Sequence, residues 1–203
     1  MPSPRWGEPP PGPVARLVAR ARAGLRPAPA TRTGLPELPI RLRHGELAER
    51  YLVAERATDH RRAATAAVAA MDEAARGEDW WAADAWGQRG LWHFERAEMT
   101  LQATRQARRI GDLRLRAGDP GSARRYYAEA IDEARDIGAE HEQGLAAEGL
   151  CRTMIELGRV TEARRLASAA VDLLVRSGAP DAEIASARAL LGREVPVGGT
   201  KEG

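Results

Sequence analysis

Residues Thr104–Ile137, TRQARRIGDLRLRAGDPGSARRYYAEAIDEARDI, decide the fold class. Ile110 is an apolar position among polar neighbours. Ala117-Gly118-Asp119-Pro120 then interrupts the pattern. Glycine stops a helix, aspartate caps the next, and proline suits the first helical position because the N–H it lacks has no partner there. Ala123, Tyr127 and Ala130 belong to a second helix, which Ile137-Gly138 ends. The stretch therefore reads as two helices joined by a tight turn.

The same design recurs on either side. Gly118 and Gly158 are 40 residues apart, and Gly77 lies 41 before Gly118. Each closes one helix and precedes another. Ala82, Ala123 and Ala163 stand five residues after these glycines, and Ala130 and Ala170 twelve after theirs. Small residues at fixed offsets let helix backbones approach, and an internal period of this size points to stacked helix pairs. Upstream, a helix is expected over 43–57, with Leu47, Tyr51 and Ala54 on one stripe. Asp59 caps an alanine-rich helix reaching Ala75, and Arg76-Gly77-Glu78-Asp79 stops it before a helix beginning near Trp80. Downstream, Ser177–Asp181 opens a last helix that fades at Gly192.

The segment 104–137 resembles a tetratricopeptide repeat. Ile110-Gly111 stands where that family carries Leu-Gly, Gly118-Asp119 stands at its turn, and Ala123, Tyr127 and Ala130 match the small, aromatic and small positions of its second helix. Segment 144–177 is similar through Leu150, Gly158, Ala163 and Ala170, and Ala82 and Trp86 carry the likeness upstream. The resemblance covers roughly residues 60–178. It implies an all-α, antiparallel helix-pair solenoid of about three pairs plus a C-terminal capping helix. The period of about 40 exceeds the family's usual ~34 and looks like the lengthened repeats of bacterial regulators. HEAT-type repeats share the longer period.

Composition agrees with an all-α chain. Ala, Leu, Arg and Glu are strong helix formers, and aromatic residues make up only 4% of the 203 residues. Ten of the thirteen prolines fall within the first 40 residues. Three regions follow: a Pro-rich arm over 1–40, a helical domain over 41–193 and a flexible tail over 194–203. Within the arm, Val14, Leu17, Val18, Ala21 and Leu25 share a face of a short basic amphipathic helix over 14–25. That helix suits docking on its own domain, a partner or a membrane surface. The net charge of +2 marks no polycation, and Lys201 is the only lysine. The single cysteine, Cys151, permits no intrachain disulfide. With neither a signal peptide nor a run of ~20 apolar residues, a cytoplasmic protein is expected.

The sequence offers little for catalysis. None of His44, His60, His93 and His141 has a His or Cys three or four residues on, so no helical metal pair forms. Glu140-His141-Glu142 reads as a solvated helix start. Phosphate loops, nucleophile elbows and di-iron patterns are absent. No cofactor, no metal, no membrane and no nucleic acid is expected. Two sets of residues stand out. Trp80, Trp81, Trp86, Trp92 and Phe94 crowd one helix without sharing a face, as a core helix or an interface for a partner or a second copy of the chain would. The tetratricopeptide resemblance places Arg105, Arg108, Asp112, Glu148 and Arg152 on the inner surface of a groove, with Arg109 nearby. These read either as internal ion pairs or as a binding strip for a charged peptide. The expected function is a non-catalytic adaptor or regulatory module binding a peptide or protein. The alternative is an accessory subunit of an enzyme in a peptide-modifying or biosynthetic pathway.

Overall fold

The computed structural model describes residues 38–192. The arm through residue 37, with its 14–25 segment, residue 193 and the tail over 194–203 lie outside the described residues. After a short 3-10 turn at Ile40–Leu42 come eight α-helices: α1 Glu46–Arg56, α2 His60–Arg76, α3 Trp80–Arg96, α4 Thr100–Arg116, α5 Pro120–Asp136, α6 Glu140–Glu156, α7 Val160–Arg176 and α8 Asp181–Leu191. There is no strand among the described residues. The domain is all-α, its helices pack in consecutive pairs, and the arrangement is compatible with a helical repeat.

The repeat runs deeper than the helix pair. Helices α2 to α7 each have 17 residues and begin at residues 60, 80, 100, 120, 140 and 160. At 1.5 Å per residue each is about 25 Å long. The second residue of each three-residue link takes a left-handed conformation: Thr58, Glu78, Glu98, Gly118, Gly138 and Gly158, with Gly178 next in register. The residue after it donates its N–H back to a carbonyl five positions earlier, as in Asp59 to Ala54, Asp119 to Arg114 and Arg159 to Met154, at 2.8–2.9 Å. This Schellman closure satisfies the carbonyls left open at the helix end. Where the third link residue is aspartate it also caps the next helix: Asp59, Asp79 and Asp119 accept from the N–H of Arg62, Ala82 and Ser122.

Two boundaries differ from expectation. Gly77 is not the counterpart of Gly118, since its φ is −84° and Glu78 takes the left-handed position. The true spacing is thus 40 throughout, and Ala83 rather than Ala82 is the counterpart of Ala123 and Ala163. The break at Ala97-Glu98-Met99 has no glycine, proline or side-chain cap to announce it. Glu98 stands there with φ 56°, a conformation costing a non-glycine residue about 1–2 kcal/mol. The closure forms because packing of α3 against α4 fixes both ends.

Buried small residues follow the twenty-residue period. Ala63, Ala83, Ala103, Ala123 and Ala163 occupy one position, with Gln143 in the sixth helix. Ala67, Gly87, Ala107, Ala147, Ala167 and Ala187 occupy the position four residues on, with Tyr127 in the fifth helix. Beyond consecutive pairing, α4 touches α6 and α6 touches α8, so the even-numbered helices form a row. One apolar cluster links α3 through α8, and another gathers Leu38, Tyr51, Met71 and Trp86 at the N-terminal end.

Candidate functional site

The row of even-numbered helices carries all six residues assigned to the groove. Arg105 Nε donates to Glu142 Oε1 at 2.7 Å, and Arg108 Nε donates to Glu142 Oε2 at 3.2 Å, so one carboxylate on α6 clamps two arginines of α4. Arg108 also reaches Asp112 at 3.2 Å, and the Tyr127 hydroxyl donates to the other oxygen of Asp112 at 2.6 Å. Arg109 turns to the opposite neighbour and pairs with Asp72 on α2. On α6, Arg152 pairs with Glu148 at 2.9 Å, and Ser186 of α8 donates to the same carboxylate oxygen at 2.7 Å. The structure therefore joins Arg105, Arg108 and Asp112 in one network and Glu148 with Arg152 in a second. Arg109 lies apart, on the α2 side.

Glu142 is the residue the sequence concealed. It reads as part of a solvated helix start, but it is 5% exposed and holds two guanidiniums. The only sequence signal is its place three and four residues before Leu145 and Ala146, on the side of α6 turned toward α4. Its neighbour His141 bonds Glu183 of α8 at 2.6 Å. Asp132, which pairs with Arg135 at 2.9 Å, is also buried.

Charge and exposure divide unequally within these pairs. Side-chain exposure is 49% for Arg105 against 7% for Glu142, and 46% for Arg152 against 4% for Glu148. The carboxylates are inside and the guanidiniums outside. A visiting molecule meets arginine edges whose orientation is fixed from beneath by an anchored acid.

Tyr127 underlies the network. Its ring lies against Gly111 on α4 and Gly149 on α6, and a Cβ at Gly149 would stand 2.2 Å from it. Burial and the Asp112 carboxylate push the Tyr127 hydroxyl far above the usual tyrosine range, so it acts as a donor. Gly149→Ala is expected to destabilise the domain by about 1–3 kcal/mol through overpacking, although alanine is the better helix former. Denaturant melts should show the sign reversing in a Tyr127→Ala background. A loss of the same size in both backgrounds would locate the cost elsewhere.

The aromatic helix α3 divides by face. Trp86 is buried and meets Tyr51 of α1 edge-on, with ring centroids 5.2 Å apart. Trp80, Trp92 and Phe94 are half-buried, and Trp92 packs edge-on against His60. Trp81 is exposed, with the Arg41 guanidinium 3.2 Å above its ring. On the inner face His93 joins a polar chain through the N-terminal core. Tyr51 donates to Glu55 at 2.7 Å, so its oxygen accepts from His93 Nε2 at 3.1 Å, which leaves His93 Nδ1 to accept from His60 Nδ1 at 2.9 Å. Burial, helped by His60 and Arg89, lowers the His93 pKa to about 4. Cys151 is buried, and burial pushes its thiol up to about 11, the state of an inert core thiol.

None of the family models, curated proteins or solved structures compared with the chain matches it. Among the described residues no helix is long and apolar enough to cross a membrane, and no cluster of three metal-ligating side chains occurs.

Proposed function

We propose that this protein is a non-catalytic interaction module, a tetratricopeptide-like stack with lengthened repeats, which binds an acidic peptide segment of a protein partner along α4, α6 and α8. One observation carries the reading: Arg105 and Arg152 present half-exposed guanidiniums on successive helices of one row, each seated on a buried carboxylate. A guanidinium has five N–H donors, and the pair to Glu142 uses Nε of Arg105, so its terminal nitrogens suit a peptide carboxylate. Four arginines of the groove are balanced by Asp72, Asp112, Glu142 and Glu148. Steering by net charge is therefore weak, and recognition rests on local geometry. The reading agrees with a cytoplasmic adaptor or regulator.

Selection from a random peptide library should yield sequences enriched in Asp and Glu. Their affinity should fall about tenfold or more for Arg105→Gln and Arg152→Gln, and should weaken as salt rises. Selected peptides that bind both folded variants with unchanged affinity would refute the groove assignment.

A further inference from the structure

The forty-residue period relates four grooves along the domain. Leu47 and Val53 of α1 and Ala66 and Ala69 of α2 line a cavity of about 730 Å³ between those helices. One repeat on, their counterparts are Gly87, His93, Gln106 and Arg109 on α3 and α4. There α2 fills the groove: Met71 lies against Gly87 and Gln106, His60 bonds His93, and Asp72 pairs with Arg109. Two repeats on, α4 fills the groove of α5 and α6, with Gly111 and Asp112 on Tyr127 and Thr104 on Glu133. Three repeats on, α6 fills the groove of α7 and α8, with Gly144 against Leu173 and Leu174 and Glu148 on Ser186. Each groove thus takes the even-numbered helix before it, and the first is a seat of the same make. Its exposed floor includes Val53, 66% exposed.

We infer that the first seat is filled by this chain's own segment Val14–Leu25, docked as a helix between α1 and α2. The helix that register alone would supply spans 20–36, but Pro27, Pro29 and Pro36 make that sequence a poor helix former. The segment just upstream carries Val14, Leu17, Val18, Ala21 and Leu25 on one face, a stripe of the kind the groove buries. A free helix of twelve residues is marginal in water, so docking and helix formation are one event. Reach is sufficient. Leu38 is packed in the N-terminal core beside α1, and residues 26–37 span roughly 37 Å when extended at about 3.1 Å each, more than the length of α2. The rim is mixed in sign, with Glu46 and Glu49 on α1 and Arg61 and Arg62 on α2, so the apolar stripe rather than charge sets the docking. This seat lies at the N-terminal end, apart from Arg105 and Arg152, and its test leaves the peptide reading untouched.

The test is hydrogen exchange followed by mass spectrometry on the full-length chain. Amides of residues 17–25 should exchange about tenfold or more slowly than in an unstructured peptide, at every protein concentration. Val53→Asp with Ala69→Asp should abolish that protection while leaving α5 and α6 as protected as before, and Leu17→Asp should do the same from the other side. Absence of protection would overturn the inference, as would protection that survives the groove variants. Protection that appears only as the protein dimerises would assign the seat to a second copy and would also overturn it.

Discussion

Trp86→Ala is expected to cost the domain about 3–5 kcal/mol, the range for deleting a buried aromatic ring. Trp86 is 4% exposed, and its ring meets Tyr51, so it ties α3 to α1. In the same cluster stand Leu38, Ala48, Ala67 and Met71, mostly small or flexible side chains that cannot close a cavity of indole size. Alanines supply much of the surrounding wall, so most of the cavity should persist and the cost should lie toward the upper end. Urea denaturation followed by far-UV circular dichroism measures the loss directly. Trp81→Ala, an exposed position on the same helix, serves as the control and should change stability by well under 1 kcal/mol beyond its contact with Arg41. If Trp86→Ala leaves stability unchanged but disrupts a complex, the inner face of α3 is an interface and not core.

Acidification should destabilise the N-terminal end. The His93 pKa is lowered from 6.5 to about 4, first by burial and then by the charges of His60 and Arg89. Between those two values the unfolded chain binds a proton that the folded one refuses. Stability is therefore full above about pH 6.5 and falls as pH drops toward 4, by about 3 kcal/mol at pH 4. The cause is structural as well as electrostatic. Protonated His93 carries N–H on both ring nitrogens, so Nδ1 can no longer accept from His60, and the new charge lies near buried Arg89. Urea melts at pH 7 and pH 4, compared between the native protein and His93→Gln, measure the effect. The variant should lose much of the pH dependence in this window, and an unchanged slope would exonerate the histidine.

What the chain's sequence determines by itself is local. The alanine and glycine offsets, Asp59, Asp79 and Asp119 as caps, and Gly118, Gly138 and Gly158 as left-handed closures all act within a few residues. Helix class, helix count over residues 100–176 and the forty-residue period are therefore legible without a structure. Tertiary packing decides the rest. It places a helix break at Glu98, where no local signal exists, and moves the N-terminal register from Gly77 to Glu78. It buries Glu142 and turns it from an apparently solvated acid into the anchor of Arg105 and Arg108. Helical spacing shows which side chains share a face, but only the approach of a neighbouring helix determines which carboxylate loses its water and must find an arginine. For the same reason the separation of Arg109 from Arg105 could not be read from their spacing, since α2 draws one away and α6 draws the other.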